Sequence, residues 1–275
     1  MSFAYACLVP GLPHILAPGN NAAYRALAEA MVRAGDDMQE RGIRRLFYFS
    51  TQWLSVLGHL VQARPQVAGR HVDENWHDLP EVGSLPFDFK VDVPLAEATY
   101  AALDQANFQS RLVNYEGFPV DTGTIVADRL LNRHGFAANM LSCCVYSDYG
   151  DTERLMRTVT KVIAADDVPT ALVVVSGLSG RYFTKVIDPQ EDHISDPGDD
   201  VWNRRVLALM EQGQLIELEQ VVADYARQCK VDMGFKALAV LKGAGIFDHT
   251  AQRQLMTQAY GPIYGTGAAV ITLGP

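Results

Sequence analysis

Short runs rich in β-branched and aromatic residues alternate along this chain with longer stretches whose apolar residues recur at helical spacing. That alternation commits the chain to an α/β fold. The strand candidates are Phe3–Val9, Leu46–Ser50, Ser55–Ala63, Phe87–Val91, Gln109–Asn114, Ala138–Val145, Thr170–Ser176 and Ala268–Leu273. Between them lie helical windows at Leu95–Ala106, Thr124–Asn132, Thr152–Ala165, Asp199–Glu211, Gln214–Gln228 and Gly234–Gly243, and a first helix that Asn20 or Asn21 caps and Gly42 stops. No internal repeat, low-complexity tract or Gly/Ser-rich linker divides the sequence, so residues 1–275 are expected to form one domain, a central mixed sheet flanked by helices. Gln66–Pro86, rich in Pro, Gly, His and Asp, reads as a loop over a sheet edge, and the acidic stretch Asp188–Asp200 as a second long loop leading into a helix.

Charge narrows the function. Lys and Arg number 23 against 32 Asp and Glu, a net charge of -9, which argues against a binder that relies on phosphate neutralisation. With 48% hydrophobic and 20% charged residues the composition is that of a folded globular protein. The opening Met1–Cys7 has no basic residue before its apolar stretch, and no apolar run approaches the roughly 20 residues needed to span a bilayer, so the cytoplasm is the expected location. Four cysteines, two of them adjacent at Cys143 and Cys144, form no Cys-x-x-Cys pair and so neither a disulfide framework nor a structural zinc site.

Three loops follow strands directly, where sites in open α/β folds are built. Gly11-Leu12-Pro13-His14 offers an imidazole held between rigid residues, suited either to a metal or to a structural hydrogen bond in a turn. Ser50-Thr51-Gln52-Trp53-Leu54 offers Gln52, whose neutral amide is a poor transition-metal ligand and better suited to a polar contact at a strand end. Ser176 to Tyr182 carries two serines, but Gly177-Leu178-Ser179-Gly180 is not a Gly-x-Ser-x-Gly elbow. Gly261 to Gly267 is a Gly-rich turn, not a nucleotide fingerprint, and no His-Glu-x-x-His occurs. His59, His71, His77, His134, His193 and His249 are scattered and read as surface or satisfied residues, Cys143 and Cys144 as small buried hydrophobes, and Trp53, Trp76 and Trp202 as core or interface aromatics.

Several segments, in order and spacing, point further: Pro13-His14, Phe49 to Leu54, Leu85-Pro86-Phe87-Asp88, Val120-Asp121-Thr122-Gly123-Thr124, Ser176 to Gly180 and Gly234-Phe235-Lys236. Through them the chain resembles the class III extradiol ring-cleaving dioxygenases, the family of the protocatechuate 4,5-dioxygenase β chain, over most of its length. The resemblance implies an Fe(II) held by two His and one Glu, with open positions for a chelating aromatic and for dioxygen. The first His matches His14. The second falls on Gln52, and the Glu falls in Cys229 to Gly234, where Asp232 is the nearest substitute. The family's acid/base His falls on Gly180, and its Asp-His-Gly segment is Asp121-Thr122-Gly123, placing Thr122 at the histidine.

One imidazole, one amide and one short carboxylate bind Fe(II) weakly, and glycine transfers no proton. His14, Gln52, Thr122, Gly180 and Asp232 are therefore expected to line a vestigial pocket, with no catalytic residue and no cofactor in this chain. The resemblance implies a partner instead. Two-subunit, aminophenol-cleaving members of the family pair a smaller α subunit with a catalytic β subunit as an α2β2 heterotetramer whose iron sits in β. Two alternatives stay open: an active enzyme using His14, His59 and Asp232, against which alternation counts by placing His59 on the opposite strand face from Gln52, and a stand-alone protein that binds a small aromatic.

Overall fold

Strand β1 (Tyr5–Val9) is buried along its whole length because it is sandwiched within the sheet as well as between its faces. The parallel strand β8 (Thr170–Val175) lies on one side and the antiparallel β10 (Thr266–Leu273) on the other. The computed structural model describes residues 3–77, 81–181, 186–247 and 254–274. Beyond β8 come the parallel strands β2 (Arg45–Ser55) and β7 (Ala137–Cys144), then β3 (His59–Gln62), antiparallel to β7, and β6 (Ser110–Val113) at the edge. Strand β9 (Leu255–Ile263) forms the other edge through a hairpin with β10, giving an eight-stranded mixed sheet.

Alternate residues of the central strands feed two cores. Leu8, Phe47, Leu141, Leu172 and Val174 face helices α2 (Val93–Gln105), α4 (Tyr149–Ala164), α5 (Pro197–Glu211), α6 (Leu215–Gln228) and α7 (Lys236–Gly243). Tyr5, Cys7, Tyr48, Met140 and Val173 face α1 (Ala22–Glu40) and α3 (Thr122–Leu131). Strands covered on both faces must be apolar at nearly every position, which is why they read as continuous hydrophobic runs. Asn21 caps α1 by accepting from the Tyr24 amide at 3.0 Å, and Gly42, at φ 73°, follows its end as expected.

Three expectations are corrected. Ser55–Ala63 is not one strand: β2 runs through Ser55, and β3 begins only at His59. Gln66–Pro86 is not a plain loop, since it holds β4 (Gln66–Val72) and the start of β5 (Ser84–Lys90), which pair as a separate two-stranded sheet. The window Gly234–Gly243 becomes helical only at Lys236, because Met233, Gly234 and Phe235 all adopt positive φ.

Candidate functional site

The parallel strands β1, β2 and β8 end on the same side of the sheet, and the loops after β1 and β8 wall a cavity of about 560 Å³ with Gln52 of β2, segment 75–76, Asp232 and the β9–β10 turn. Gln52 reaches this wall through an irregularity in β2. Ser50 pairs with Ser142 and Leu54 with Cys143, so Thr51, Gln52 and Trp53 are extra residues that bulge out of register with β7. A Cβ on Gly11 would meet the Gly123 backbone Cα at 2.6 Å, which calls for glycine there, and the Gln52 amide oxygen packs against both glycines.

Gln52, Gly180 and Asp232 line the same cavity, and Gln52 and Thr122 line a smaller one of about 330 Å³ beside it. Asp232 stands in the turn containing Met233 (φ 47°), Gly234 (φ 67°) and Phe235 (φ 62°), a left-handed run costing on the order of 1 kcal/mol or more per non-glycine residue. Its carboxylate accepts from the Gly177 amide at 3.0 Å, while burial pushes its pKa up against that bond. Gly180 has no room for a larger residue as the backbone stands. A Cβ there would meet the Lys230 carbonyl oxygen at 2.7 Å.

Thr122 opens α3, where the side chain of Asp121 caps the helix by accepting from the Thr124 amide at 3.0 Å and also holds Ser50 Oγ at 2.7 Å. Burial raises the Asp121 pKa, opposed by these bonds. The Thr122 hydroxyl donates to Asp73, and its one proton being used, it accepts from His71 Nε2 at 3.0 Å. The other oxygen of Asp73 accepts from the amides of Asn75 (2.8 Å) and Trp76 (3.3 Å), which sets the turn carrying Trp76.

His14 occupies a 3-10 turn, Pro13–Leu16, beyond β1 and is buried. Its ring stacks on Tyr264 (centroids 4.9 Å apart, planes at 23°) and packs T-shaped with Trp76 and Tyr24, centroids 4.4 and 6.2 Å away. Among the described residues neither ring nitrogen has a hydrogen-bond partner. Burial pushes the imidazole down to about 4, against the pull of Asp192 and Asp73. Tyr264 sits at φ 50° and Gly265 at φ 78° in the two-residue turn between β9 and β10, as a hairpin of right-handed twist requires.

Other sequence candidates are otherwise engaged. His59 holds the Ser142 carbonyl and Ser147 Oγ, each at 3.0 Å, and so does not join His14 and Asp232. Ser179 is used by Asn203 and the Gly267 amide, which leaves no nucleophile there. Arg181, at the cavity wall, is neutralised by Asp199 through bonds of 2.8 and 3.1 Å. Burial lifts the Cys143 thiol to about 11, consistent with a small hydrophobe. Tyr182 and His249 lie outside the described residues. Sequence reading missed the parts of Trp76, Tyr264, Asp73 and Asn75; the only local signals were Asp73 two and three residues before Asn75 and Trp76, an Asx-turn spacing, and the Tyr-Gly pair of a two-residue hairpin.

A pocket at the ends of parallel strands is where open α/β sheets place their sites, and the comparison that gives this one a family is with the aromatic ring-opening dioxygenases. The chain belongs to that family: the family described as the catalytic LigB subunit of aromatic ring-opening dioxygenase matches residues 9–271, which bears out the resemblance read from the sequence. Within it, the chain is 36% identical to a 2-aminophenol 1,6-dioxygenase alpha subunit from a Pseudomonas species over 277 residues, 98% of each chain. It is 22% identical to a 2-aminophenol 1,6-dioxygenase beta subunit from a Pseudomonas species, over 96% of this chain and 91% of that one. The fold matches the crystal structure of an uncharacterized protein from Escherichia coli K12 with a TM-score of 0.67 at 15% identity, over 98% of this chain and 99% of that one.

The residues present do not fit an iron held by two histidines and a carboxylate. Gln52 supplies an amide, His14 is packed by the rings of Tyr24, Trp76 and Tyr264, and among the described residues no three His, Cys, Asp or Glu side chains group closely enough to hold a metal ion. Among the described residues, too, no helix is long and apolar enough to cross a membrane.

Proposed function

We propose that this chain is a non-catalytic α subunit of a two-subunit extradiol dioxygenase of the 2-aminophenol 1,6-dioxygenase type, folded as one domain over residues 1–275 and working in the cytoplasm. Its partner is a catalytic β subunit of the same family, in an α2β2 heterotetramer; β holds the Fe(II), and the complex opens the ring of 2-aminophenol with dioxygen. The observation that carries this reading is the set of matched positions: of the four that match a histidine only His14 keeps its imidazole, and that imidazole is enclosed by Trp76 and Tyr264. Similarity over 98% of both chains to an alpha subunit, and over most of the length to a beta subunit, supports a paired role. Gln52, Thr122, Gly180 and Asp232 are then the walls of a vestigial pocket, and His14, which the sequence places among them, lies behind Trp76 and Tyr264.

The test is to express the chain alone and together with a β-type partner. The chain alone is expected to carry far less than one iron per chain and to leave 2-aminophenol intact, with activity appearing when the partner is present. One iron per isolated chain with turnover would overturn the reading. A second reading, a binding protein for small aromatics, is favoured by the cavity of about 560 Å³, a size that suits one small ligand. Calorimetry of the isolated chain with aminophenols and catechols separates the two.

A further inference from the structure

The enclosure of His14 is built from both sides by carboxylates that bind backbone. On one side Asp192 Oδ2 accepts from the Tyr264 amide at 2.6 Å and the Tyr24 hydroxyl at 2.7 Å, and Oδ1 from the Gly265 amide at 2.8 Å. These bonds hold the turn in the left-handed conformation that lays the Tyr264 ring on the imidazole. Segment 188–196 is further tied down by the bond from Asn21 Nδ2 to the Pro189 carbonyl (2.5 Å) and from the Ser195 amide to the Gly265 carbonyl (3.0 Å). On the other side Asp73, itself held by the Thr122 hydroxyl, fixes the amides of Asn75 and Trp76 and so sets the indole T-shaped against the same ring. Trp76 and Tyr264 also pack on each other, centroids 4.8 Å apart, which closes the gap between them. Both rings line the 560 Å³ cavity, whereas His14 does not.

We propose that Trp76 and Tyr264 form an aromatic lock that seals His14 from the cavity, and that Asp192 and Asp73 are the positioning residues that keep it shut. The two neutral rings contribute dispersion and burial to the imidazole, and no polar atom among the described residues bonds its nitrogens, so the seal keeps metal and water from the ring together. Loss of the Fe(II) site in this chain is then more than substituted ligands: the pocket is filled on the side where a ligand survives. The proposal rests on the reading of this chain as the subunit without the metal.

The experiment is carbethoxylation of the full-length chain by diethyl pyrocarbonate, with each histidine followed by mass spectrometry. In the wild type His14 is expected to react far more slowly than exposed His193. In Asp192→Asn, Asp73→Asn and Tyr264→Gly its rate is expected to rise about tenfold or more, the population shift that follows losing one charge-assisted hydrogen bond or the covering ring. His59 reports on the fold and should stay protected; for any variant in which it reacts, Tyr24→Phe, which removes a single hydroxyl from Asp192, takes its place. A wild-type His14 as reactive as His193, or one that stays protected in every variant, overturns the lock. Cobalt(II) titration of the wild type tests the underlying reading separately: one tightly bound ion per chain, lost on His14→Ala, would sink that reading whatever the reactivities.

Discussion

His14 and His59 are buried to a similar degree, 5% and 2% exposed, and burial depresses both imidazoles below the ordinary histidine value. Their surroundings differ. Around His59, strand β7 supplies a carbonyl and the following turn a hydroxyl, so both ring nitrogens are paired and the residue stitches β3 to β7. Around His14 the direct packing is by the rings of Tyr24, Trp76 and Tyr264, and among the described residues both nitrogens go without a partner. Buried polar groups are nearly always paired, so an unpaired one signals a position whose identity is not explained by stability. The contrast separates a histidine that serves the fold from one that the fold has merely enclosed.

Four measurements break or sharpen that contrast. His59→Ala removes a packed ring and strands the Ser142 carbonyl and Ser147 hydroxyl, and is expected to lower unfolding free energy in urea by about 4 kcal/mol. The second uses pH. Unfolded imidazole titrates near 6.5 and folded His14 near about 4, so the native state binds fewer protons between these values. The His14 contribution is therefore fully present above about pH 6.5 and is lost as pH falls towards 4. Over that window the wild type should lose about 3 kcal/mol more than His14→Phe, with the His59 titration common to both proteins and cancelling. Equal pH dependence would mean that His14 is not sealed.

Next in size, Gly180→Ala places a Cβ against the Lys230 carbonyl and should cost about 2 kcal/mol, read as a lower urea midpoint at unchanged slope. The smallest effect is the most pointed. At pH 7.5 His14→Phe swaps two unpaired nitrogens for carbon and is expected to change stability by less than about 1 kcal/mol in either direction, the opposite of the result at His59.

Much of this fold is legible in the sequence because the central strands are covered on both faces and must be apolar throughout, which marks β1, β2, β7 and β8 without any knowledge of their partners. Strand β4 escapes because Gly69 and Arg70 interrupt its pattern and it pairs only with β5, outside the main sheet. Strand β9 escapes for a similar reason: as an edge strand carrying Gly261 and Pro262 it has little need of an apolar face. In the site, Gln52 and Gly180 lie at the ends of β2 and β8, where the sequence reading looks for site loops, whereas Asp232, in the turn before α7, is reached only through the resemblance. Trp76 and Tyr264 are reached by neither route, because what puts them on His14 is a pair of carboxylates, Asp73 and Asp192, one of them far along the chain from the ring it holds. Neither contact has a local signature at His14. Alternation argued against His59 as a site residue; the structure agrees in outcome through a different cause, since His59 belongs to another strand and is already bonded.

The placement of β1 between β8 and β10 also dictates a schedule. Cys7 pairs with Val173 on one side and Thr272 on the other, so the second strand made to lie beside the earliest one is among the latest synthesised. Until it emerges, one edge of β1 stays open, and with it the wall that Gly11 and Gly267 share. Such distant pairings fold slowly and leave apolar edges exposed meanwhile. Yield of this chain in a heterologous host should thus respond to slower synthesis, lower temperature or added chaperones, and removal of residues 266–273 should leave an insoluble product, not a smaller folded one.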